Sequence, residues 1–351
     1  MPLPPPAVQV GLSDGLRAIA LRECRTMALH DRPVLVAPDS FKGTLTAQQV
    51  ATAIGRGLVR AGLPAPDLAP VADGGEGTME VLLGRLGGEV VTVTASDPLG
   101  REVAASLALL GDGTTALVEV AAASGLALVA LEDRDAEAAS STGTGQLIAA
   151  AAATGAAHVL VAAGGSATTD GGRGAIEAID DAGGLGRARI TVLCDVRTPF
   201  EQAASVFGPQ KGADRAAVAR LERRLAAFGL PLGVPMTGAA GGLAGGLWAT
   251  FGAELVAGAP FVLDALDFDR RMLASRAVIV GEGRLDATSL QGKIAAEIAT
   301  RARQHGVPAH AIVGSCAIDR FDARILDLQE ILEAGDEPAI EQAAVELARV
   351  I

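Results

Sequence analysis

Short apolar runs alternate with glycine-rich loops and amphipathic stretches along most of the chain. Residues 34–37 form such a run. The capping-box pair Thr46 and Gln49 then predicts the start of a helix. A glycine cluster at 73–78 precedes a second predicted helix. The opening third of the chain therefore predicts strand–loop–helix units, which are typical of parallel α/β sheets.

The pattern changes in the next part of the chain. Strand-like runs at 90–94, 102–109 and 115–120 follow one another without helices between them. Turn signals at 97–100 and 111–113 separate these runs. Short strands joined by tight turns predict an antiparallel or mixed sheet, unlike the opening unit.

The remaining apolar runs return to the strand–loop–helix pattern. Strands are predicted at 158–163, 190–194, 277–280 and 311–314. Helices are predicted at 145–153, after 172, at 213–228, after 246, from about 290 and at 341–351. The recurring unit is a strand followed by a glycine loop, so the second half predicts parallel pairing again.

These patterns predict an α/β protein with a Rossmann-like parallel-sheet domain and a second, inserted mixed α/β domain. The length of 351 residues favours two domains over one core. Residues 31–70 and 275–351 are assigned to the Rossmann-like domain, and 71–274 to the inserted domain. Residues 1–30 are assigned to an N-terminal extension.

Composition supports this architecture and limits the partners. Half of the residues are apolar but only 3% are aromatic, so small aliphatic side chains build the interior. The formal charge of −12 argues against nucleic-acid binding, which needs a basic surface. It is compatible with a small anionic substrate, because a few lysines can make a local positive pocket. We expect a monomer or a homodimer.

Other features predict a cytoplasmic protein. Cys24, Cys194 and Cys316 lie far apart without a CxxC or Cys/His cluster, which predicts reduced thiols. The most apolar stretch, 147–165, is broken by a Thr-Gly pair and a histidine, so no membrane span is predicted. Residues 1–30 lack the apolar core of a secretion signal.

The loops combine residues suited to phosphate chemistry. Neither GxxxxGK[ST] nor GxGxxG occurs, which disfavours a P-loop or an ordinary dinucleotide fold. Several strand ends instead carry glycine with a hydroxyl or lysine and an aspartate. Glycine loops turn backbone N–H groups toward an anion, and aspartate can hold Mg²⁺ or accept a proton. Each loop could equally be a tight turn.

Lysine is the most selective signal. The chain has only three lysines against 26 arginines, and Lys42, Lys211 and Lys293 all lie in glycine loops. An arbitrary surface choice does not put every lysine there. We therefore favour a functional role for Lys42 and Lys211, whereas Lys293 could simply start a helix.

Asp195 follows an apolar strand directly, which is where an open α/β sheet presents functional groups. A structural cap explains it equally well. Loop acids occur at Asp73, Glu76, Glu282 and Asp286, and at least one of them is expected to be structural. No histidine lies near a candidate serine, which disfavours a Ser/His nucleophile.

Together these loops resemble the type I glycerate kinase family. The matching segments, in chain order, are VLVAPDSFKGT (34–44), ADGGEGT (72–78), VEVAAASGL (118–126), GGSATTDGG (164–172), CDV (194–196), VFGPQKGA (206–213), GAAGG (238–242) and VGEGRLD (280–286). They cover nearly everything from residue 33 onward and stand in the order of the family.

The resemblance implies phosphorylation of glycerate by ATP with Mg²⁺, usually giving 2-phosphoglycerate, in a cleft between two domains. Asp195 matches an aspartate proposed to deprotonate the substrate hydroxyl, with Lys42 and Lys211 at the reacting groups. Candidate substrate- or phosphate-binding residues are Ser40, Gly164, Gly165, Ser166, Arg284 and Lys293. Candidate Mg²⁺ ligands are Asp39, Asp73 and Asp286.

The chain departs from the family pattern around Asp195. A longer stretch usually separates Gly172 from the strand at Ile190, and Thr198-Pro-Phe replaces an Asn-Pro-Leu sequence. These changes leave two alternatives open. One is a kinase for another small hydroxy acid, and the other is a non-catalytic protein of the same fold that binds a sugar acid or a nucleotide.

Overall fold

The computed structural model describes residues 29–286, 289 and 293–351. Its strands are β1 (Val34–Pro38), β2 (Asp67–Leu68), β3 (Gly88–Ser96), β4 (Glu102–Leu110), β5 (Thr115–Glu119), β6 (His158–Ala162), β7 (Arg189–Cys194), β8 (Glu254–Ala257), β9 (Ala277–Glu282), β10 (Ala309–Val313) and β11 (Leu328–Glu333). These strands form two sheets.

Helices connect the strands. The α-helices are α1 (Ala47–Arg60), α2 (Thr78–Leu86), α3 (Val120–Ser124), α4 (Thr142–Ala153), α5 (Arg173–Asp181), α6 (Ala203–Phe207), α7 (Arg215–Ala226), α8 (Leu243–Phe251), α9 (Gly258–Ala265), α10 (Phe268–Leu273), α11 (Ile294–His305), α12 (Arg320–Leu326) and α13 (Glu337–Leu347). Short 3-10 turns lie at Leu29–Asp31, Leu126–Leu128, Leu131–Asp133, Phe200–Gln202, Pro209–Lys211 and Ala239–Gly242.

The first sheet has the order β11-β10-β9-β1-β2, and every pair in it is parallel. It joins the beginning of the described chain to its end, as the sequence predicts. The second sheet has the order β3-β4-β5-β6-β7-β8. Its first three strands pair antiparallel and the rest pair parallel, which confirms the predicted mixed sheet.

Side-chain alternation along each strand builds five layers. On β1, Val34 and Val36 pack with α1 and α13, whereas Leu35 and Ala37 face the opposite core. That second core also contains residues of α2, α9 and α11 and reaches Leu117 on the second sheet. The far face of the second sheet packs on α4, α5 and α8. Successive side chains of a strand point to opposite faces, so helices cover both sheets on both sides.

The predicted elements agree with the structure where their patterns are long. The capping box of Thr46 and Gln49 is formed at the start of α1. β2, β8 and β11 were not predicted, because β2 has two residues, β8 has four, and β11 carries three acidic or amide side chains among six. α9 was missed because it begins Gly-Ala-Pro, which reads as a turn although proline is tolerated in a first helical turn.

The α/β fold class, with a parallel sheet and a mixed sheet, is confirmed. The domain limits near residues 70 and 275 stay a prediction, because α2 and α9 pack between the two sheets and belong to both. The N-terminal extension lies outside the described residues except for Leu29 and His30, and so does residue 290, where a helix start was predicted. Among the described residues, no helix has the length and apolar character needed to cross a bilayer.

Candidate active site

Loops that follow β1, β2, β6, β7 and β9 meet at one edge of the two sheets. A Cβ atom built on Gly164, after β6, would lie 2.6 Å from the Cα of Gly75, in the loop after β2. The same Cβ would lie 3.3 Å from Oδ2 of Asp195. Only glycine permits this approach, because a side chain at either position would meet backbone. The contact joins the carboxyl ends of both sheets, where open α/β folds bind ligands.

Two buried carboxylates occupy the first-sheet side. Asp39 follows β1, Asp73 follows β2, and each is 8% exposed. Desolvation and the Asp73 charge raise the pKa of Asp39 from 3.8 to about 7. Asp39 Oδ1 accepts a hydrogen bond of 2.6 Å from the N–H of Ser40, and Asp73 Oδ1 accepts one of 3.0 Å from the N–H of Gly75. This side thus concentrates negative charge.

The Lys42 ammonium group is surrounded by these and other carboxylates. Its pKa is raised above 10.5, mainly by Asp73 and also by Asp39, Asp195 and Glu76. Its side chain is exposed. An exposed ammonium group surrounded by carboxylates can contact an incoming phosphate.

Asp195 follows β7 and lies between the two sides of the cleft. Burial, followed by repulsion from Asp73, raises its pKa from 3.8 to about 6, while Lys42 and Lys211 oppose the shift. The lysines and Asp195 therefore share one electrostatic neighbourhood. A carboxylate with this pKa is ionised at neutral pH and can still accept a proton.

Lys211 is the most buried charged group of the cleft, at 2% exposure. Its Nζ donates hydrogen bonds to Ser166 Oγ at 2.8 Å and to the carbonyl of Thr168 at 2.6 Å. Burial lowers its pKa from 10.5 to about 7. Two of the three donors of the ammonium group therefore hold the loop after β6.

Asp170 anchors the same loop, a role that sequence reasoning did not assign. Its Oδ2 accepts hydrogen bonds from Ser141 N, Ser141 Oγ and Gly174 N at 2.9, 2.8 and 3.2 Å. Its Oδ1 accepts another from Gly172 N at 3.0 Å. The carboxylate thereby ties the loop to the starts of α4 and α5. The sequence does not reveal this role, since Ser141 lies 29 positions away.

Glu119, at the end of β5, is a second residue that the prediction missed. Its Oε1 accepts a 2.7 Å hydrogen bond from the N–H of Met79, at the start of α2. Burial raises its pKa from 4.5 to about 7, and the nearby Glu76 adds to the shift. Its strand-end position, like that of Asp195, was the available signal. Glu119 fixes the helix that follows the Asp73 loop.

The loop after β9 forms the other rim. Glu282 is 6% exposed, and its Oε2 accepts a 3.0 Å hydrogen bond from Ser289 Oγ. Lys293 Nζ lies 3.6 Å from the same oxygen. Arg284 and Asp286 pair with each other at 3.2 Å, and the Arg284 side chain is 67% exposed. Burial raises the pKa of Glu282, and its charge adds to the shift of Asp39, so this rim adjoins the β1 loop.

The structure thus brings the predicted residues into two adjoining groups. Asp195, Lys42, Lys211, Asp39 and Asp73 interact electrostatically in one neighbourhood. Ser166, Gly164 and Gly165 contribute the loop beside it, in which Ser166 is buried and Gly165 is exposed with φ +74°. Ser40 adjoins Asp39, while Arg284, Asp286 and Lys293 lie on the rim after β9. Their individual chemical roles stay predictions.

The cleft also has ligands of the kind that a hard cation requires. No cluster of three or more metal-ligating side chains is formed within the described ranges 29–286, 289 and 293–351. Mg²⁺ commonly takes only one or two protein carboxylates and completes its shell with water and phosphate. The buried, mutually repelling carboxylates of Asp39 and Asp73 suit that arrangement, because a bound cation would relieve their repulsion.

The fold and this cleft define an α/β protein whose anion-binding glycine loops and buried carboxylates converge where two sheets meet. The sequence model of the glycerate kinase family matches residues 34–182 and 181–350, which together make up nearly all of the described chain. The two matched parts join at residues 181–182, between Gly172 and Ile190, where the sequence indicates a shortened segment. The chain belongs to the glycerate kinase family.

Individual relatives agree with this assignment. A glycerate kinase of Halalkalibacterium halodurans is 37% identical, over 90% of this chain and 97% of the relative. A glycerate 2-kinase of Escherichia coli K12 is 37% identical, over 82% of this chain and 86% of the relative. A crystal structure of a protein assigned as glycerate kinase 2 from Salmonella typhimurium LT2 has a TM-score of 0.75 and 32% identity, covering 91% of this chain and 98% of that one.

Proposed function

We propose that this protein phosphorylates glycerate with ATP and releases 2-phosphoglycerate. The observation that carries the proposal is the position of Asp195, whose pKa responds both to Lys42 on the first-sheet side and to Lys211 on the second. Phosphoryl transfer requires positioned cations and a group that receives the acceptor proton, and little else from the protein. The glycerate kinases and the glycerate 2-kinase among the relatives support the substrate and the position of the new phosphate.

Asp195 is assigned as the general base. With a pKa raised to about 6, its carboxylate is ionised at pH 7.5 and can take the proton from the substrate hydroxyl as the new P–O bond forms. The proximity of Gly164 to Asp195 Oδ2 brings backbone next to the base. The acceptor oxygen is thereby held between a carboxylate and the loop after β6.

The phosphate and carboxylate groups are assigned to the lysines and the glycine loops. Lys42, exposed and surrounded by acids, is positioned to contact transferred phosphate oxygens. Gly164, Gly165 and Ser166 offer backbone and hydroxyl donors to the substrate, and Lys211 holds this loop through Ser166 Oγ. Anions favour such loops because several N–H groups can converge on one oxygen.

A divalent cation fits the remaining acids. Asp39 and Asp73 are assigned as its protein ligands. Asp286, the third candidate from the sequence, lies on the rim, where it pairs with Arg284. When bound, Mg²⁺ neutralises phosphate oxygens during transfer. Asp39 and Asp73 would hold the cation, and both acids also raise the pKa of Lys42.

The shortened connection favours one alternative, a kinase for another small hydroxy acid. Residues 182–188 join α5 directly to β7, so they lead to the strand that carries Asp195. A shorter connection next to the base can change the shape of the acceptor pocket. The substrate must therefore be tested against close analogues.

The deciding experiment measures ADP release with ATP and Mg²⁺ against glycerate, tartronate and related hydroxy acids. We expect glycerate to give the highest kcat/KM, and phosphorus NMR to show 2-phosphoglycerate. A preference for another acid would favour the alternative kinase, and ligand binding without ADP release would favour a non-catalytic protein.

Asp195→Asn tests the base directly. We expect kcat to fall by about 10²–10⁴-fold because the proton acceptor is lost. Asp181→Asn, at the exposed end of α5, is the matched control and should keep wild-type turnover. Wild-type kcat/KM should fall as the pH drops through about 6, where Asp195 becomes protonated. Unchanged turnover in Asp195→Asn would remove this residue from the mechanism.

A further inference from the structure

We propose that Glu282, rather than Asp286, is the carboxylate that joins Asp39 and Asp73 in holding the divalent cation. The inference rests on the proposed function and assigns one of its ligands. The strand register and the burial of Glu282 are the observations behind it. From the sequence alone, Glu282 could not be distinguished from the other loop acids.

The register of the first sheet puts Asp39 and Glu282 side by side. β1 and β9 are parallel, with Pro38 opposite Gly281, and the N–H of Asp39 donates to the carbonyl of Gly281 at 2.8 Å. The residues that follow this pair are Asp39, directly after β1, and Glu282, the last residue of β9. Residues at matching positions of neighbouring parallel strands point to the same face of a sheet.

That face is the one turned toward the second sheet. Ala37 on β1 and Val280 on β9, two positions earlier, both belong to the core shared with α2, α9 and the second sheet. Because side chains alternate along a strand, Asp39 and Glu282 leave the sheet on this same side. Both carboxylates are directed toward the cleft and away from α1 and α13.

One oxygen of Glu282 lacks a partner. Oε2 accepts a hydrogen bond from Ser289 Oγ at 3.0 Å and lies 3.6 Å from Lys293 Nζ. Oε1 is also buried, and the described part of the chain offers it no hydrogen-bond partner. A buried carboxylate oxygen without a partner is costly, so natural proteins usually supply one, often a bound ion. With Ser289 and Lys293 holding Oε2, Oε1 remains for a ligand.

Asp286 differs from Glu282 in its burial and in its ion pair. Its Oδ2 lies 3.2 Å from the Arg284 guanidinium, and its side chain is 26% exposed compared with 9% for Glu282. An acid that pairs with an exposed arginine keeps much of its hydration. Glu282 would add one oxygen ligand to those of Asp39 and Asp73, and water and phosphate would supply the rest.

The experiment measures binding of Mn²⁺ to the full-length protein with ADP and without glycerate, by electron paramagnetic resonance of the free ion. We expect Glu282→Gln to raise the Kd for Mn²⁺ at least tenfold. Asp286→Asn, the matched control on the same loop, should change the Kd less than twofold. The opposite ranking, or no effect of Glu282→Gln, would overturn the assignment, as would a wild-type protein that does not bind Mn²⁺.

Glu282→Asp covers the case in which Glu282→Gln does not fold. It keeps the charge on a shorter side chain, and we expect a Kd between those of the wild type and Glu282→Gln. A wild-type Kd in this variant would contradict the ligand role.

Turnover separates this inference from the proposed function. If Mn²⁺ binding depends on Glu282 but no hydroxy acid promotes ADP release, the metal ligand stands and the kinase activity fails. If glycerate is phosphorylated while the Glu282 variants bind Mn²⁺ normally, the activity stands and the ligand assignment fails.

Discussion

Asp39 and Asp170 are aspartates of similar burial on opposite sides of the cleft, at 8% and 7% exposure, yet their surroundings differ completely. Asp170 accepts four hydrogen bonds from the starts of α4 and α5 and from its own loop. Asp39 faces the charges of Asp73 and Glu282, and its pKa is raised to about 7. Asp170 is therefore fully hydrogen-bonded, whereas the Asp39 carboxylate is opposed by neighbouring negative charges.

The difference indicates that the two aspartates have different roles. Groups that position a loop gain from being fully hydrogen-bonded, because an unpaired buried acceptor costs about 1–3 kcal/mol. Groups that receive a cation must remain incompletely satisfied until the ligand arrives. Proteins often accept lower stability at functional sites for this reason. Asp170 and Asp39 should therefore respond in opposite directions to the same substitution.

Asp170→Asn should give the largest change in stability. Asparagine keeps one acceptor oxygen but puts an NH₂ group against backbone N–H donors, so the loop loses hydrogen bonds and gains donor–donor repulsion. We expect the free energy of unfolding to fall by about 2–3 kcal/mol. Urea denaturation measures it, with Asp181→Asn at the end of α5, the helix that follows Asp170, as control. A loss no greater than that of the control would show that the loop does not depend on Asp170.

Asp39→Asn should stabilise the protein at alkaline pH. The folded protein keeps a proton on Asp39 up to about pH 7, whereas the unfolded chain releases it near 3.8. Between these values the folded state binds more protons, so this group makes stability fall as pH rises. Asparagine does not ionise and avoids the loss.

We therefore compare the free energy of unfolding of Asp39→Asn with that of the wild type. We expect this difference to be about 1–3 kcal/mol more favourable to the variant at pH 8 than at pH 5, at about 1.4 kcal/mol per unit of pKa shift. Urea denaturation at the two pH values gives the comparison, and ADP release should fall in the same variant. If the variant were instead weaker at pH 8 than at pH 5, the Asp39 carboxylate would be stabilised in its charged form, and the contrast with Asp170 would fail.

The same contrast explains how far the sequence could predict the site. Strand ends, the capping box of Thr46 and the restriction of lysine to loops are local signals, and they picked out the loops that the structure brings together at one edge of the sheets. The partners of Asp170 and Glu119 lie 29 and 40 positions away. Such contacts depend on how helices pack against the sheets, which composition and periodicity do not specify.

Glu282 shows a related limit. Its position beside Asp39 follows from the parallel register of β1 and β9, two strands more than 230 residues apart in the sequence. The loop acids all looked alike until the register separated the buried Glu282 from Asp286 on the rim. The fold class was predictable because strand–loop–helix units repeat along the chain. The acids could be ranked as candidate ligands only once the structure gave the burial of each.

Glu119 offers the finest test, because it holds α2 at the point where the two sides of the cleft meet. Gly77 precedes α2 and offers no side-chain cap, so Glu119 Oε1 supplies the acceptor for the N–H of Met79.

Glu119→Ala should lower the free energy of unfolding by about 1 kcal/mol, as the loss of a helix cap does. Glu119→Gln keeps a carbonyl oxygen and loses a charge whose pKa is raised to about 7, so at pH 8 it should match or exceed the wild type. Hydrogen exchange at the Met79 amide should quicken in the alanine variant alone. Wild-type exchange in the alanine variant would mean that the start of α2 is fixed by its packing against the sheets and not by Glu119.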